Sequence, residues 1–263
     1  MTKNAAFLTL LAPFFAYSQG LPPPSGIGPP TGAQQQKSAQ AAAPVDFTGY
    51  WVSVVTEDWR WRMVTPIHGD FASIPLNNEG RRIGNAWDPA KDTAAGEQCK
   101  AYGAPAIMRI PGRLHFTWAD DNTLKIETDA GEQTRLLHFT GKPAGSKTWQ
   151  GYSAANWERP VRGSGTPGFG LGATREGSHG KSLEVVTTDL RAGYLRKNGP
   201  PYSENTVLHE YYDLHKEPNG DTWFTVTTIV EDPTYLTEPF VTSTDFKKIP
   251  DGAGWSPSPC TAK

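Results

Sequence analysis

The chain has 263 residues, with 25 Lys or Arg and 27 Asp or Glu, so its formal net charge is −2. This balance is not the basic footprint of a protein that binds nucleic acid or an anionic membrane surface. Hydrophobic residues make up only 37% of the chain, but it contains nine Trp, 27 Gly and 23 Pro. Large rings can supply core area, and this much Gly and Pro favours many short strands over long helices.

Residues 1–18 have the organisation of a signal peptide. Lys3 supplies a positive charge, and residues 5–16 form an apolar run that is too short to span a bilayer. Small residues then precede a cleavage site expected before Gln19. A buried N-terminal helix is the alternative, but Pro13 disfavours it because proline interrupts a helix.

The segment 19–45 is rich in Pro, Gly, Gln and Ala and has almost no large apolar residues. Such a composition cannot bury enough surface to offset its ordering entropy, so it predicts a disordered linker. The folded domain is expected at 46–263. Together these features predict a periplasmic or secreted protein without a transmembrane segment.

Alternating apolar and polar residues dominate the domain from its first segment onward, which is typical of half-buried strands. One short helix is predicted after Asn77, a good N-cap, and ends before Asp88 and Pro89. The pair Asn219-Gly220 predicts a hairpin. Strands are predicted at 49–55, 59–64, 107–110, 113–118, 123–129, 133–139, 148–158, 182–190, 206–215, 221–232 and 240–246.

So many strands must protect their edges, and closure into a barrel does so most completely. The sequence Gly49-Tyr50-Trp51 on the first strand also resembles the G-x-W of lipocalin-like barrels. We therefore predict an all-β fold, a single antiparallel lipocalin-like β-barrel with one short helix. A β-sandwich is the alternative.

Five stretches in the second half form a distinctive series: TRLLHF, WQGYSAANWE, SLEVVTT, NGPPYSENTVLHEYYD and DTWFTVTTIVEDPTYLTEPF. Together they resemble a family of exported, β-rich, largely uncharacterised proteins of soil bacteria such as acidobacteria. The glycine-rich segment 159–180 is longer in this chain than the corresponding segment of that family. The resemblance implies export and a β-rich fold, and it marks Arg135, Gly151, Ser153, Trp157, Thr187, Ser203, Glu210, Asp232, Pro233, Thr237 and Pro239.

The strand containing LHEYYD carries the candidate catalytic groups. Alternation places Glu210 on one face and His209 with Tyr211 on the other, so either face offers a titratable group that can act as a base. Arg135 is a candidate electrophile or a fork for a ligand carboxylate. The alternative is a structural ion pair between Arg135 and Glu210 inside the barrel.

Aromatic residues form the second candidate group. The ligand-binding candidates are Trp59, Trp61, Tyr152, Trp157 and Tyr211. They would line an aromatic cavity for a small organic or carbohydrate ligand, whose charged rim would come from Arg60, Arg62 or Glu158. A ring-rich core is the alternative.

Cys99 and Cys260 are the only cysteines, and in an exported protein an even count favours a disulfide over two free thiols. The six histidines show no metal-ligand spacing, and no motif for a nucleotide cofactor is present, so neither metal nor cofactor is expected. The sequence favours binding of a small hydrophobic or aromatic molecule. The alternatives are a cofactor-independent lyase, isomerase or hydratase with a His or Glu base, and an envelope interaction protein. Oligomeric state is left open.

Overall fold

The computed structural model describes residues 37–143, 145–158 and 182–263. The predicted signal peptide, residues 19–36 of the predicted linker and the glycine-rich segment 159–180 lie outside the described residues.

Nine strands close into a barrel, and two short strands pair separately. In chain order the strands are β1 (Gly49–Val54), β2 (Arg113–Asp120), β3 (Thr123–Thr128), β4 (Thr134–His138), β5 (Tyr152–Trp157), β6 (Ser182–Thr188), β7 (Gly193–Tyr194), β8 (Pro201–Tyr202), β9 (Val207–Lys216), β10 (Thr222–Glu231) and β11 (Phe240–Ile249). The barrel order is β1-β11-β10-β9-β6-β5-β4-β3-β2, and β7 pairs with β8. The predicted all-β barrel is confirmed, and the sandwich alternative is not the observed fold.

Most neighbouring strands of the barrel are antiparallel. The exception is the short contact between β4 and β5, which pair in parallel at Leu137 with Ser153 and His138 with Ala154. The hairpin between β9 and β10 turns at the predicted Gly220, whose φ of 89° favours glycine. Pairing of β1 with both β2 and β11 closes the barrel and removes the free edges.

The chain between β1 and β2 contains the helical segments. They are α1 (Trp59–Arg62), α2 (Asn78–Asn85), α3 (Pro89–Ala94), a 3-10 turn (Gln98–Tyr102) and α4 (Ala104–Ile107). The predicted helix is α2, and its predicted cap is confirmed because Asn77 Oδ1 accepts a hydrogen bond from Gly80 N at 2.8 Å. The other helical segments are additions that the sequence reading did not contain.

Two predicted strands are wrong. In place of the predicted strand 59–64, the chain forms the helical turn α1 followed by irregular structure. In place of the predicted strand 107–110, it forms the last residue of α4 and the turn that follows. An alternating pattern over four to six residues also fits one helical turn, so it does not decide between the two. Since both edges of β1 are already paired, this segment has no free edge of β1 to join.

The chain contacts the barrel before residue 46, the predicted start of the domain. Ala39 N donates to Asn122 Oδ1 at 2.9 Å, and Trp157 Nε1 donates to Ala39 O at 2.9 Å. Residues 37–45 of the predicted linker therefore belong to the part of the chain that packs on the barrel.

Side chains fill the barrel interior. Phe47 stacks on Phe116 and contacts the edges of Tyr212 and Phe224, and all four rings are buried. A second apolar cluster, which includes Leu208, lies where the helical segments meet the barrel. The rings in the barrel therefore form its core, as one of the two readings of the aromatic residues predicted.

Cys99 and Cys260 form the predicted disulfide, with Cα atoms 5.1 Å apart. The bond joins the 3-10 turn to the C-terminal segment across a sequence separation of 161 residues. None of the helices in the described residues is long and apolar enough to cross a membrane.

Candidate functional site

Two of the three candidate catalytic residues pair with each other inside the barrel. Arg135 on β4 and Glu210 on β9 have fully buried side chains. Arg135 Nη2 lies 2.6 Å from Glu210 Oε2, and Arg135 Nη1 lies 3.0 Å from Glu210 Oε1. This bidentate geometry is the strong form of a charged hydrogen bond.

Hydroxyl groups surround this pair, and Arg135 Nε is buried without an acceptor among the described residues. Arg135 Nη2 contacts Thr187 Oγ1 at 3.3 Å and Ser153 Oγ at 3.4 Å, and the Tyr212 hydroxyl donates to Glu210 Oε1 at 3.2 Å. Burial raises the pKa of Tyr212 well above its usual value, and the Glu210 carboxylate raises it further. Burial lowers the pKa of Arg135, but Glu210 and Tyr212 together outweigh that effect, so the net pKa is raised. The guanidinium therefore stays charged, and each charge of the pair is engaged by the other.

The third catalytic candidate, His209, lies on the opposite face of β9, together with Tyr211. Both are half-buried, whereas their neighbour Glu210 is fully buried. Strand alternation was thus predicted correctly, and it separates His209 from the Arg135–Glu210 pair.

The aromatic candidates do not converge on one cavity. Tyr152 stacks on His138 with ring centroids 5.0 Å apart, and Trp157 packs against Phe47 in the core. Trp59 is 68% exposed on α1. Tyr152 lies on the outward face of β5, and Trp59 lies on α1 outside the barrel. Trp157 shares the inward face of β5 with Ser153, but it packs among the core rings and does not line a cavity beside Arg135.

Trp61 does line a pocket, and this pocket lies outside the barrel, where α1, the 3-10 turn and α4 meet the segment that follows β7. It has a volume of about 60 Å³. Its apolar lining is Ala101, Ala106, Ile110, Pro111 and Leu195. Trp61 adds an aromatic ring, and the polar or charged lining is Arg62, Thr65, Arg109, Arg196 and Lys197. We call it the Trp61 pocket.

The carboxylates of the two residues before α1, Glu57 and Asp58, form ion pairs with two of the arginines. Arg62 forms an ion pair with Glu57 and donates from Nε to Arg109 O at 3.0 Å. Arg109 Nη2 donates to Asp58 Oδ2 at 2.7 Å. Asp58 has a left-handed φ of 50°, and its carbonyl accepts from Trp61 N at 2.8 Å, so a tight turn presents Trp61 and Arg62 together. Burial lowers the pKa of Arg62, although Glu57 opposes this effect.

Arg196 and Lys197 are held differently. Arg196 Nη2 donates to Asp70 O at 2.8 Å and its Nε to Asn198 Oδ1 at 3.1 Å, while Lys197 Nζ donates to Thr261 Oγ1 at 2.9 Å. Burial lowers the pKa of Arg196 to about 10. Within the described residues neither cation forms a salt bridge, although the nearby carboxylate of Asp70 raises the pKa of Arg196 against the effect of burial.

Sequence reasoning found Trp61 and Arg62 but missed the other cations of this pocket. Arg109, Arg196 and Lys197 come from two segments far from α1 in sequence, and no spacing links them. The sequence showed that these two segments carry positive charge, Gly and Pro, but it did not show that they pack against α1.

Metal ligation has no support in the described part of the chain, where no group of three or more His, Cys, Asp or Glu side chains is close enough to hold an ion. A comparison with protein-family models, curated proteins and solved structures found no match. The resemblance to exported soil-bacterial proteins therefore stays a prediction, and function has to be argued from the site itself.

Proposed function

We propose that this protein is an exported β-barrel that binds a small hydrophobic or aromatic organic molecule, and that the Trp61 pocket is its site. The observation that carries the proposal is the composition of that pocket. Apolar side chains of Ala106, Ile110 and Leu195 line a concavity with Trp61 among its walls and a few charged groups. Small-molecule sites are concave and mostly apolar, with a few polar groups that fix orientation.

The filled barrel interior supports a site outside the barrel. Arg135 and Glu210 are fully buried and bound to each other, so in this conformation neither is open to a substrate. The Trp61 pocket, in contrast, opens at the surface beside the exposed residue Thr65.

Export is supported by the Cys99–Cys260 disulfide, since such bonds persist mainly in oxidising compartments. We place the protein in the periplasm or outside the cell. Protein recovered from these fractions is expected to begin near Gln19 on N-terminal sequencing, and recovery of an intact Met1 end would contradict this placement.

Binding is tested by isothermal titration calorimetry against a panel of small aryl and alkyl compounds, neutral and charged. Replacement of Trp61 by Ala removes an aromatic wall, and we expect affinity to fall about tenfold or more, since burying a large apolar side chain contributes about 1.5–3 kcal/mol. Trp59→Ala is the matched control, because Trp59 lies two positions away on the same helical turn but does not line the pocket. Equal loss in both variants, or no binding by any compound, would contradict the proposal.

A further inference from the structure

Three buried N–H groups on residues that line the Trp61 pocket lack an acceptor in the described part of the chain. They are Trp61 Nε1, Arg62 Nη2 and Arg109 Nη1. The Arg62 side chain is 1% exposed and that of Arg109 10%, so solvent reaches neither freely. Buried polar groups without partners are costly and few in native proteins. Three such donors on the lining residues of one pocket indicate an acceptor that comes from outside the chain.

The charge of the pocket indicates that this acceptor is negative. The pocket is lined by four cationic side chains, those of Arg62, Arg109, Arg196 and Lys197. Among the described residues Glu57 and Asp58 form salt bridges with them, and Asp70 lies near enough to raise the pKa of Arg196, so four cationic side chains face three carboxylates. Water satisfies donors but does not neutralise charge. An anion does both, and it relieves the cost of burial that lowers the pKa of Arg62 and of Arg196.

The size of the pocket limits what enters it. A volume of about 60 Å³ holds about four water-sized groups, at roughly 15 Å³ for each. A carboxylate with its adjoining carbon fits this space, whereas the rest of an organic ligand must lie outside it. Met63 and Val64, between the lining residues Arg62 and Thr65, are 59% and 67% exposed and offer an apolar surface there.

We propose that the ligand of the Trp61 pocket is an organic carboxylate. Its oxygens accept hydrogen bonds from Trp61 Nε1 and from the two guanidinium groups, and its apolar part lies on the exposed side chains of Met63 and Val64. This inference rests on the proposed function and narrows its ligand to an acid.

The test compares three ligands that share one apolar body: 3-phenylpropanoate, 3-phenylpropan-1-ol and 3-phenylpropyl phosphate. Each is titrated into the full chain in a calorimeter at low and high salt. We expect the carboxylate to bind at least about tenfold more tightly than the alcohol, because hydrogen bonds to charged groups are stronger than neutral ones. Only the charged ligands are expected to weaken as salt screens the pocket.

Two variants of the pocket and one control variant test which side chains bind the carboxylate. Trp61→Phe keeps the ring but removes its N–H, and we expect it to weaken the carboxylate about tenfold and the alcohol little. Trp223→Phe is the matched control, since Trp223 Nε1 is also buried without an acceptor in the described residues but does not line this pocket. Lys197→Gln removes a lining cation that forms no salt bridge among the described residues, and it should weaken binding of the carboxylate while leaving binding of the alcohol unchanged.

The outcomes separate this inference from the proposed function. If alcohol and carboxylate bind equally, or if Trp61→Phe and Trp223→Phe behave alike, the carboxylate assignment is overturned while the pocket remains a ligand site. Tighter binding of the phosphate than of the carboxylate overturns the assignment in the same way. If none of the three ligands binds and the compound panel also fails, the proposed function itself is overturned.

Discussion

Replacement of Glu210 by Gln is expected to destabilise the protein by about 3–5 kcal/mol, the range for breaking a buried ion pair. The side chains of Arg135 and Glu210 are both 0% exposed, so the variant leaves a guanidinium charge in the core without a counter-ion. The raised pKa of Arg135 depends on the Glu210 carboxylate, which the amide does not replace. Arg135→Met should cost a similar amount, because it leaves the carboxylate of Glu210 with the Tyr212 hydroxyl as its remaining partner.

The double variant Arg135→Met/Glu210→Gln removes both charges, and we expect it to be more stable than the sum of the single losses predicts. Replacing a whole buried pair by uncharged residues is often close to neutral. The difference from additivity should reach at least about 2 kcal/mol, as is found for groups in direct contact. Equilibrium unfolding in urea, followed by circular dichroism, measures all three variants. For a domain of this size, a loss of 3–5 kcal/mol corresponds to a fall in Tm of about 6–20 °C.

Asp221→Asn is the matched control, because it makes the same type of acid-to-amide change in a surface pair. Asp221 Oδ2 lies 2.7 Å from Lys247 Nζ, with side chains that are 29% and 37% exposed. Such a pair contributes about 1 kcal/mol or less. If Glu210→Gln costs no more than Asp221→Asn, or if the two barrel substitutions are additive, the structural role assigned to the Arg135–Glu210 pair is wrong.

Two further predictions concern the disulfide and the buried tyrosines. Cys99→Ser/Cys260→Ser should lower the free energy of unfolding by up to about 5 kcal/mol, from loop-closure entropy over 161 residues; urea unfolding that matches the oxidised wild type would contradict this. Burial, helped by Asp92, raises the pKa of Tyr194 to about 12, and burial raises the pKa of Tyr202 and Tyr212 as well. Since these pKa values are higher in the folded than in the unfolded chain, stability should be intact below about pH 10 and fall as pH rises towards 12. Absorbance at 295 nm should show three tyrosines that ionise at pH 11 only when the protein is unfolded, and ionisation of all tyrosines in the native protein would contradict the burial.

Local sequence signals predicted much of the barrel. The strands that became β9, β10 and β11 were predicted over seven or more residues each, long enough for the period to distinguish strand from helix, and each is ten residues long in the structure. Asn77 capped α2 as predicted, because capping depends on residues within one turn. The placement of Glu210 and His209 on opposite faces followed from the same alternation.

The predictions from sequence were wrong where contacts between segments distant in sequence determine the structure. Residues 59–64 alternate like a strand, but both edges of β1 are paired elsewhere, so the segment forms a helical turn outside the barrel. The sequence left open whether the aromatic residues line a ligand cavity or form a ring-rich core, and the contacts of Phe47, which precedes the first strand, with rings of the strands show such a core inside the barrel.

The sequence by itself therefore determined the strand content, the cysteine pair and the residues able to form the buried ion pair. The tertiary structure decided between barrel and sandwich, showed that Arg135 meets Glu210, and alone revealed that Trp61 shares a pocket with Arg109 and Arg196. The physical reason is that alternation and capping act over a few residues, whereas a pocket depends on which distant segments pack together. Charge and burial become meaningful for a binding site only after that packing has brought the side chains to one place.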